Sequence, residues 1–144
     1  MSLRVGLLGC GQIGSAADET LEDADPRVLT HARACQRSDE LQLVALCDPD
    51  LARAQAAAQR RSLIHARVTD KTDVLLREKL DIVVIAASTS SHIELASACI
   101  DAGVGVVVCE KPVGSSAAEV AALMERARSQ GTRVMVNYLR RHLG

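Results

Sequence analysis

Short runs of uninterrupted apolar residues constrain this chain more than any other feature. They occur at Leu3 to Cys10, Leu41 to Cys47, Ile82 to Ala87, Val104 to Cys109 and Val134 to Val136, and they are rich in Val, Ile and Leu. A strand with one wet face alternates apolar and polar residues, whereas a strand covered on both faces reads as a continuous run. A weaker strand is expected near Ile64 to Val68. Between the runs lie Ala-rich segments with helical spacing. Leu51 to Arg61 follows the turn Asp48-Pro49-Asp50, and Ser91 to Ala102 stops at Gly103. Ser116-Ala117-Ala118-Glu119 has the form of a capping box and opens a helix to about Gln130, closed by Gly131. Its apolar positions Val120, Leu123, Met124 and Ala127 recur every three or four residues. Helices alternating with buried strands predict an α/β fold: a Rossmann-type, doubly wound parallel sheet in three layers, joined by right-handed crossovers.

The 144 residues, 48% of them hydrophobic, suit one domain. Seventeen Lys and Arg against 18 Asp and Glu give a net charge of -1, which argues against a phosphate-tracking surface. With no Trp, no Phe and one Tyr there is no stacking platform for bases, so no nucleic-acid partner is expected. No run approaches the length of a membrane span, and Met1-Ser2-Leu3-Arg4 leads straight into a strand without a signal-peptide pattern. The five cysteines, Cys10, Cys35, Cys47, Cys99 and Cys109, form no close pair. They read as small buried hydrophobes in a reducing, cytoplasmic setting, with no metal site.

One segment breaks the rhythm. The 26 residues between Gly14 and the second strand exceed the single helix that would normally fill such a gap. The surplus, at about 15–28, contains Asp18, Glu19, Glu22, Asp23 and Asp25 and then Pro26. It reads as an acidic insertion within or ahead of the first helix, either a solvated loop or a functional lid, with Pro26 opening a second helical piece from Arg27 to Arg37.

Gly9-Cys10-Gly11-Gln12-Ile13-Gly14 is a G-x-G-x-x-G pattern directly after the first strand. In a dinucleotide site Gly9 permits the tight turn, Gly11 lets backbone approach a pyrophosphate, and Gly14 lets helix pack on strand. The N–H groups of the helix start, at Gln12 and Ile13, then face the diphosphate. The second strand ends at Asp48, an acid placed to accept hydrogen bonds from the adenosine ribose. Asp48 lies 34 residues beyond Gly14 rather than the usual offset, and looping out the insertion restores that distance. Its charge favours NAD, with NADP as the alternative and Arg53 as the one nearby cation in its favour. A turn or helix-cap role for Asp48 stays open. An S-adenosylmethionine site also uses glycines after the first strand and an acid after the second.

Ala87, Ser88, Thr89, Ser90 and Ser91 follow the fourth strand, with Ser90 or Ser91 as helix cap and His92 in the first turn. His92 reads as surface or packing, or as a functional group. The fifth strand ends in Cys109-Glu110-Lys111-Pro112. Lys111 puts a cation at the ligand edge, Pro112 restricts it and allows a cis bond, and Glu110 can pair with Lys111 or orient it. Such a lysine can assist proton movement at a substrate hydroxyl; a charged turn is the plain reading.

With these motifs the chain resembles the N-terminal nucleotide-binding domain of the glucose-fructose oxidoreductase and inositol dehydrogenase family of NAD(P)-dependent oxidoreductases. The matching stretches are Val5 to Gly14, Leu43 to Asp50, Ser90-Ser91-His92, Asp101-Ala102-Gly103 and, most specific, Val106 to Val113. A methyltransferase has no reason to carry the last of these. The resemblance implies a 1–137 Rossmann domain, with 138–144 starting the connection to a C-terminal domain. It implies pyrophosphate contact at Gly9, Gly11 and Gly14 and ribose contact at Asp48. Ala87, Ser88, Thr89, His92, Glu110, Lys111 and Pro112 would also bind the cofactor, with Lys111 beside the nicotinamide ribose and catalytic and the bond before Pro112 often cis. His31 matches a family histidine of the first helix, and Tyr138-Leu139-Arg140-Arg141 resembles the lead into the second domain.

The sequence departs from the family at three points. The family's second domain is expected to lie outside these 144 residues, the acidic insertion sits beside the phosphate site, and serine-rich sequence replaces a usual proline before His92. The expected function is hydride transfer between nicotinamide and a sugar, cyclitol or polyol-like substrate once a second domain is supplied. The isolated chain is expected to bind cofactor and turn over little. A non-catalytic NAD-binding module acting through a partner is the alternative. A homodimer, or a partner supplying the missing domain, is expected.

Overall fold

Every apolar run becomes a strand of one parallel sheet in the computed structural model, which describes residues 1–138. The strands are β1 (Leu3–Leu8), β2 (Leu41–Cys47), β3 (Arg67–Thr69), β4 (Ile82–Ile85), β5 (Val106–Glu110) and β6 (Arg133–Asn137). They pair in the order β3-β2-β1-β4-β5-β6. The chain therefore runs outward from β1 to β3 and then returns to β4 on the other side of β1. That reversal opens a crevice at the carboxyl ends of β1 and β4, where such sheets bind ligands.

Both faces are covered, which is why the runs lack polar alternation. On one face Val5, Leu7, Leu43, Leu46 and Val84 pack against Ala32 and Cys35 of α1 (His31–Gln36). The same face meets Ala54, Ala57 and Ala58 of α2 (Leu51–Arg60). Alanine on the buried stripe of α2 lets it lie close to the sheet. On the other face Leu8, Ala45, Val83, Ile85 and Val107 meet Leu75 of α3 (Thr72–Leu76). They also meet Ala96, Cys99 and Ile100 of α4 (His92–Asp101) and Leu123 and Ala127 of α5 (Ala117–Gln130). An irregularity between Val5 and Gly6 shifts the pairing so that Val5 opposes Leu43 and Gly6 opposes Ala45. All five cysteines are buried and unpaired.

Local sequence sets the helix ends. The Asp50 side chain accepts from the Ala52 N–H at 3.1 Å and caps α2. Ser116 and Glu119 form the expected capping box on α5. Hydrogen bonds, that from the Ser115 hydroxyl first, hold the Glu119 carboxyl below its ordinary range. α5 ends at Gly131, whose φ of 74° is the left-handed conformation glycine adopts freely.

Three expectations are corrected. β3 lies at Arg67–Thr69 rather than Ile64 to Val68, and Ile64 is 84% exposed. Ser91 occupies the cap position of α4, but its side chain makes no capping bond, because a short 3-10 turn at Thr89–Ser91 leads into the helix. The helical piece after the insertion starts at His31 rather than Arg27. Thr30 caps it by accepting from the Arg33 N–H at 3.1 Å. Of the two places open to the acidic insertion, the structure shows the one within the first helix. One π-helical turn, Gln12–Ala16, follows the glycines, and α1 resumes only at His31.

The excursion between these pieces is not a plain solvated loop. Asp18 is buried at its neck. Its Oδ1 accepts from Arg61 Nη2 at 2.6 Å, and its Oδ2 accepts from the Thr30 hydroxyl at 2.8 Å. Arg33 Nη2 donates to the carbonyls of Glu22 and Asp25 at 2.8 and 2.7 Å, and Arg37 Nη2 donates to that of Asp23 at 2.6 Å. Farther out, Asp25 pairs with Arg27, whose side-chain hydrogen bond holds the Asp25 carboxyl far below the usual carboxylate range. The acidic segment is thus tied down by arginines of α1 and of the end of α2.

Removing one partner of a buried ion pair strands the other charge, so Asp18→Ala is expected to lower stability by about 3–5 kcal/mol. Urea denaturation followed by circular dichroism measures it. A loss below about 1 kcal/mol would mean that the neck is wet.

Candidate functional site

The crevice is built first from glycines. Gly9 has φ of 95°, and a Cβ there would stand 2.5 Å from the Ala86 carbonyl oxygen. A Cβ on Gly14 would stand 2.0 Å from the Gly9 carbonyl oxygen. These two glycines are demanded by the packing of the turn itself. Gly11 is different. Its backbone is extended, at φ -73° and ψ -156°, and a Cβ there would meet nothing within 4 Å. Protein packing gives no reason for glycine at this position, and close approach of a ligand does. Next to it Gln12 and Ile13 are exposed, and their N–H groups have no acceptor among the described residues. The residues therefore fit a diphosphate held against bare backbone. The single turn replaces the longer helix expected here, so a macrodipole contributes little.

Asp48 is 6% exposed at the end of β2. Its Oδ2 accepts from the Cys10 N–H and its Oδ1 from the Asp50 N–H, both at 2.9 Å. The helix cap is Asp50, so Asp48 is not the capping acid. Two backbone donors fix its carboxylate while each oxygen retains a lone pair. Burial, with Asp48 second, pushes the Cys10 thiol up to about 12, so it stays protonated and inert at neutral pH.

A cavity of about 480 Å³ adjoins the turn, lined by Cys10, Gly11, Gln12, Glu19, Arg53 and Arg60 among others. A larger one, about 710 Å³, lies toward the amino-terminal ends of the strands, against Arg4, Leu41, Gln42 and Arg67. It shares no residue with the glycine turn. Parallel sheets of this order bind ligands at their carboxyl ends, so the smaller cavity belongs to the candidate site.

The ends of β4 and β5 form the other wall. His92 is 1% exposed. Its Nδ1 lies 2.7 Å from the Pro112 carbonyl oxygen and its Nε2 3.0 Å from that of Ala87. It is a buried strut between the two loops, each ring nitrogen facing a carbonyl oxygen, one of which accepts the single N–H of a neutral imidazole. Ser88 Oγ lies 3.3 and 3.1 Å from the hydroxyls of Ser90 and Ser91, a small cluster near exposed Thr89. The Lys111–Pro112 bond is cis. Lys111 is exposed and has no ion-pair partner among the described residues.

Glu110 does not pair with Lys111. Its Oε1 lies 2.6 Å from His31 Nε2 and accepts from Asn137 Nδ2 at 2.7 Å. β5 alternates sides, so Glu110 turns inward toward α1 and β6 while Lys111, past the strand end, turns out. The structure therefore gathers Gly9, Gly11, Gly14, Asp48, Ala87, Ser88, His92 and Lys111 along one edge. Sequence reasoning missed Glu19, Arg60, Asn137 and the pairing of His31. The doubled Arg60-Arg61 at the end of α2 was the available signal for the first two. Of the proposed connection at 138–144, residues 139–144 lie outside the described residues. Among the described residues no three His, Cys, Asp or Glu side chains are arranged to hold a metal, and no helix is long and apolar enough to cross a membrane.

Comparison with known proteins agrees with this geometry. Residues 3–138 match the oxidoreductase family with an NAD-binding Rossmann fold to which glucose-fructose oxidoreductase and inositol dehydrogenase belong. Inositol 2-dehydrogenase of Salmonella typhimurium is 29% identical over 144 residues, 99% of this chain and 38% of that protein. Inositol 2-dehydrogenase 1 of Saccharopolyspora erythraea is 34% identical over 145 residues, again 38% of its length. The chain thus spans well under half of these relatives. Among solved structures, the WlbA dehydrogenase of Bordetella pertussis, in complex with NADH and UDP-GlcNAcA, superimposes with a TM-score of 0.75 at 26% identity. That match covers 95% of this chain and 37% of the other. An NAD-binding protein from Listeria innocua gives 0.76 at 25% identity, over 98% and 36%. The S-adenosylmethionine alternative falls with these matches. A parallel sheet in this order, a glycine turn left bare at Gly11 and the Glu110-Lys111-Pro112 strand end together make this chain a member of the glucose-fructose oxidoreductase and inositol dehydrogenase family, as its NAD(P)-binding Rossmann domain.

Proposed function

We propose that the chain binds NAD and forms the nucleotide-binding part of an oxidoreductase acting on a sugar, cyclitol or polyol-like substrate when a second domain completes it. The observation that carries the dinucleotide reading is Gly11, a glycine that neither backbone conformation nor neighbouring atoms require. The substrate class is supported by the inositol 2-dehydrogenases among the relatives.

When bound, the nicotinamide supplies the hydride acceptor or donor. The chain's residues do the rest of the work on this side of the crevice. Gln12 and Ile13 offer backbone N–H groups to the diphosphate. Asp48, held by Cys10 and Asp50, accepts from the ribose hydroxyls and repels a 2′-phosphate, which supports NAD over NADP. His92 spaces the Ala87 and Pro112 loops that flank the nicotinamide half. Lys111 extends into the crevice to hydrogen-bond the reacting oxygen of the substrate and ease its proton loss or gain.

Two glycine variants separate binding from folding. Gly11→Val is expected to leave the melting temperature nearly unchanged and to weaken NAD binding by about 100-fold in calorimetry, a loss of some 3 kcal/mol. Gly14→Ala, with its Cβ against the Gly9 carbonyl, is expected to destabilise the fold by about 1–3 kcal/mol or more. Unchanged NAD affinity in Gly11→Val would place the diphosphate elsewhere.

The 144-residue chain alone is expected to bind NAD and to show negligible dehydrogenase activity with inositol or simple polyols. Joined to a substrate domain of the family, Lys111→Met is expected to lower kcat by about 100- to 10,000-fold while NAD binding holds. Full kcat in that variant would remove Lys111 from the chemistry.

A further inference from the structure

The excursion brings one carboxylate to the cofactor cavity that the glycine turn and Asp48 do not account for. Asp18 and Glu19 are consecutive, as are Arg60 and Arg61 at the end of α2, and they pair crosswise. Asp18 takes Arg61 at 2.6 Å in the buried neck. Glu19 takes Arg60 at 2.8 Å beside the cavity, with side chains 45% and 30% exposed. The buried pair fixes the register of the partly exposed one, so Glu19 is delivered to the cavity wall by the anchor next to it.

The cavity runs between the glycine turn and one stripe of α2. Ala52 and Ala56 leave the room, and Arg53 and Arg60 supply two cations along it. Among the described residues Arg53 pairs only with Asp50, an exposed contact at 3.4 Å. Arg60 lines the same cavity as Cys10 and Gly11, and the Cys10 N–H is bonded to Asp48 at the end of β2. That is the ribose end of a dinucleotide lying across this sheet. A guanidinium there is the group a 2′-phosphate would seek, since a phosphomonoester carries close to two charges and pairs with arginine in bidentate fashion. In this chain that guanidinium is already held by a carboxylate.

We propose that Glu19 is a specificity-determining residue: by occupying Arg60 at the cavity beside Gly11 it excludes the 2′-phosphate of NADP, so that the excursion enforces NAD use. The inference rests on the dinucleotide reading above and assigns a task to the segment that interrupts the first helix. Two effects act together. A 2′-phosphate must break the Glu19–Arg60 bond to gain Arg60, and it must approach the displaced Glu19 carboxylate as well as Asp48.

The test measures dissociation constants of NAD, NADP, 5′-AMP and 2′,5′-ADP by calorimetry in the full chain. Wild type, Glu19→Gln, Glu19→Ala, Arg60→Gln and the Glu19→Gln/Arg60→Gln double variant are compared. Glu19→Gln is expected to tighten NADP and 2′,5′-ADP by about tenfold, equivalent to 1.4 kcal/mol. NAD and 5′-AMP should stay within about twofold, because a partly exposed pair contributes little else. Glu19→Ala should repeat the gain, and the double variant should abolish it. Equal tightening of NAD and NADP, no gain in either Glu19 variant, or a gain that survives loss of Arg60 would each overturn the role of Glu19 while leaving NAD binding intact. A wild-type chain that binds neither NAD nor 5′-AMP would instead overturn the dinucleotide reading, and this inference with it.

Discussion

The contact between the turn after β1 and the end of β4 is the constraint on which the rest of the molecule depends. Gly9 sits against the backbone of Ala86, and Gly14 sits against the carbonyl of Gly9. No side chain larger than hydrogen fits at either place, so the chain can leave β1 sharply and still let β4 pair beside it. The Ala86 N–H donates to the Leu8 carbonyl at 2.7 Å and closes that junction. The order in which strands are added reverses there, and that reversal is what creates a crevice. Gly11 stands between these two tight positions in open space. Two glycines serve the fold and the third serves whatever lies above it.

The excursion shows how an acidic segment can sit beside an anion site without spoiling it. Charges left free there would repel a diphosphate over several ångströms. Instead Asp18, Glu19 and Asp25 each meet an arginine, and Arg33 and Arg37 hold the loop by its carbonyl oxygens. Burying Asp18 costs solvation, and Arg61 and Thr30 offset that cost with hydrogen bonds to both of its oxygens. The helix can therefore break after Ala16 and resume at His31 with its buried face on the sheet, where Ala32 and Cys35 pack with Val5, Leu7 and Leu43.

Much of this was legible along the chain. Strands buried on both faces announce themselves as unbroken apolar runs, and β1, β2, β4 and β5 were placed to within a residue or two. Asp48, the glycine turn and Lys111 stand at strand ends, where a ligand-facing role can be read from position. Short elements were harder. β3 has three residues, too few for a pattern, and the apolar Ile64 that suggested it is exposed. The partner of Glu110 was misread because sequence adjacency favours Lys111. Strand geometry sends consecutive side chains to opposite sides, and Glu110 meets residues 79 positions earlier and 27 later.

By itself the sequence determined the layering, the strand edge that holds the site and the identity of the residues presented there. These follow from local rules: periodicity, glycine conformations and caps each act over a few residues. Only the tertiary structure decided which charges meet. Asp18 with Arg61, Glu19 with Arg60, and His31 and Asn137 with Glu110 are pairs distant in the chain. Their encounter depends on how α2, β5 and β6 are set around the sheet. Electrostatic partnership is a matter of distance in space, and no period or spacing in a sequence encodes it.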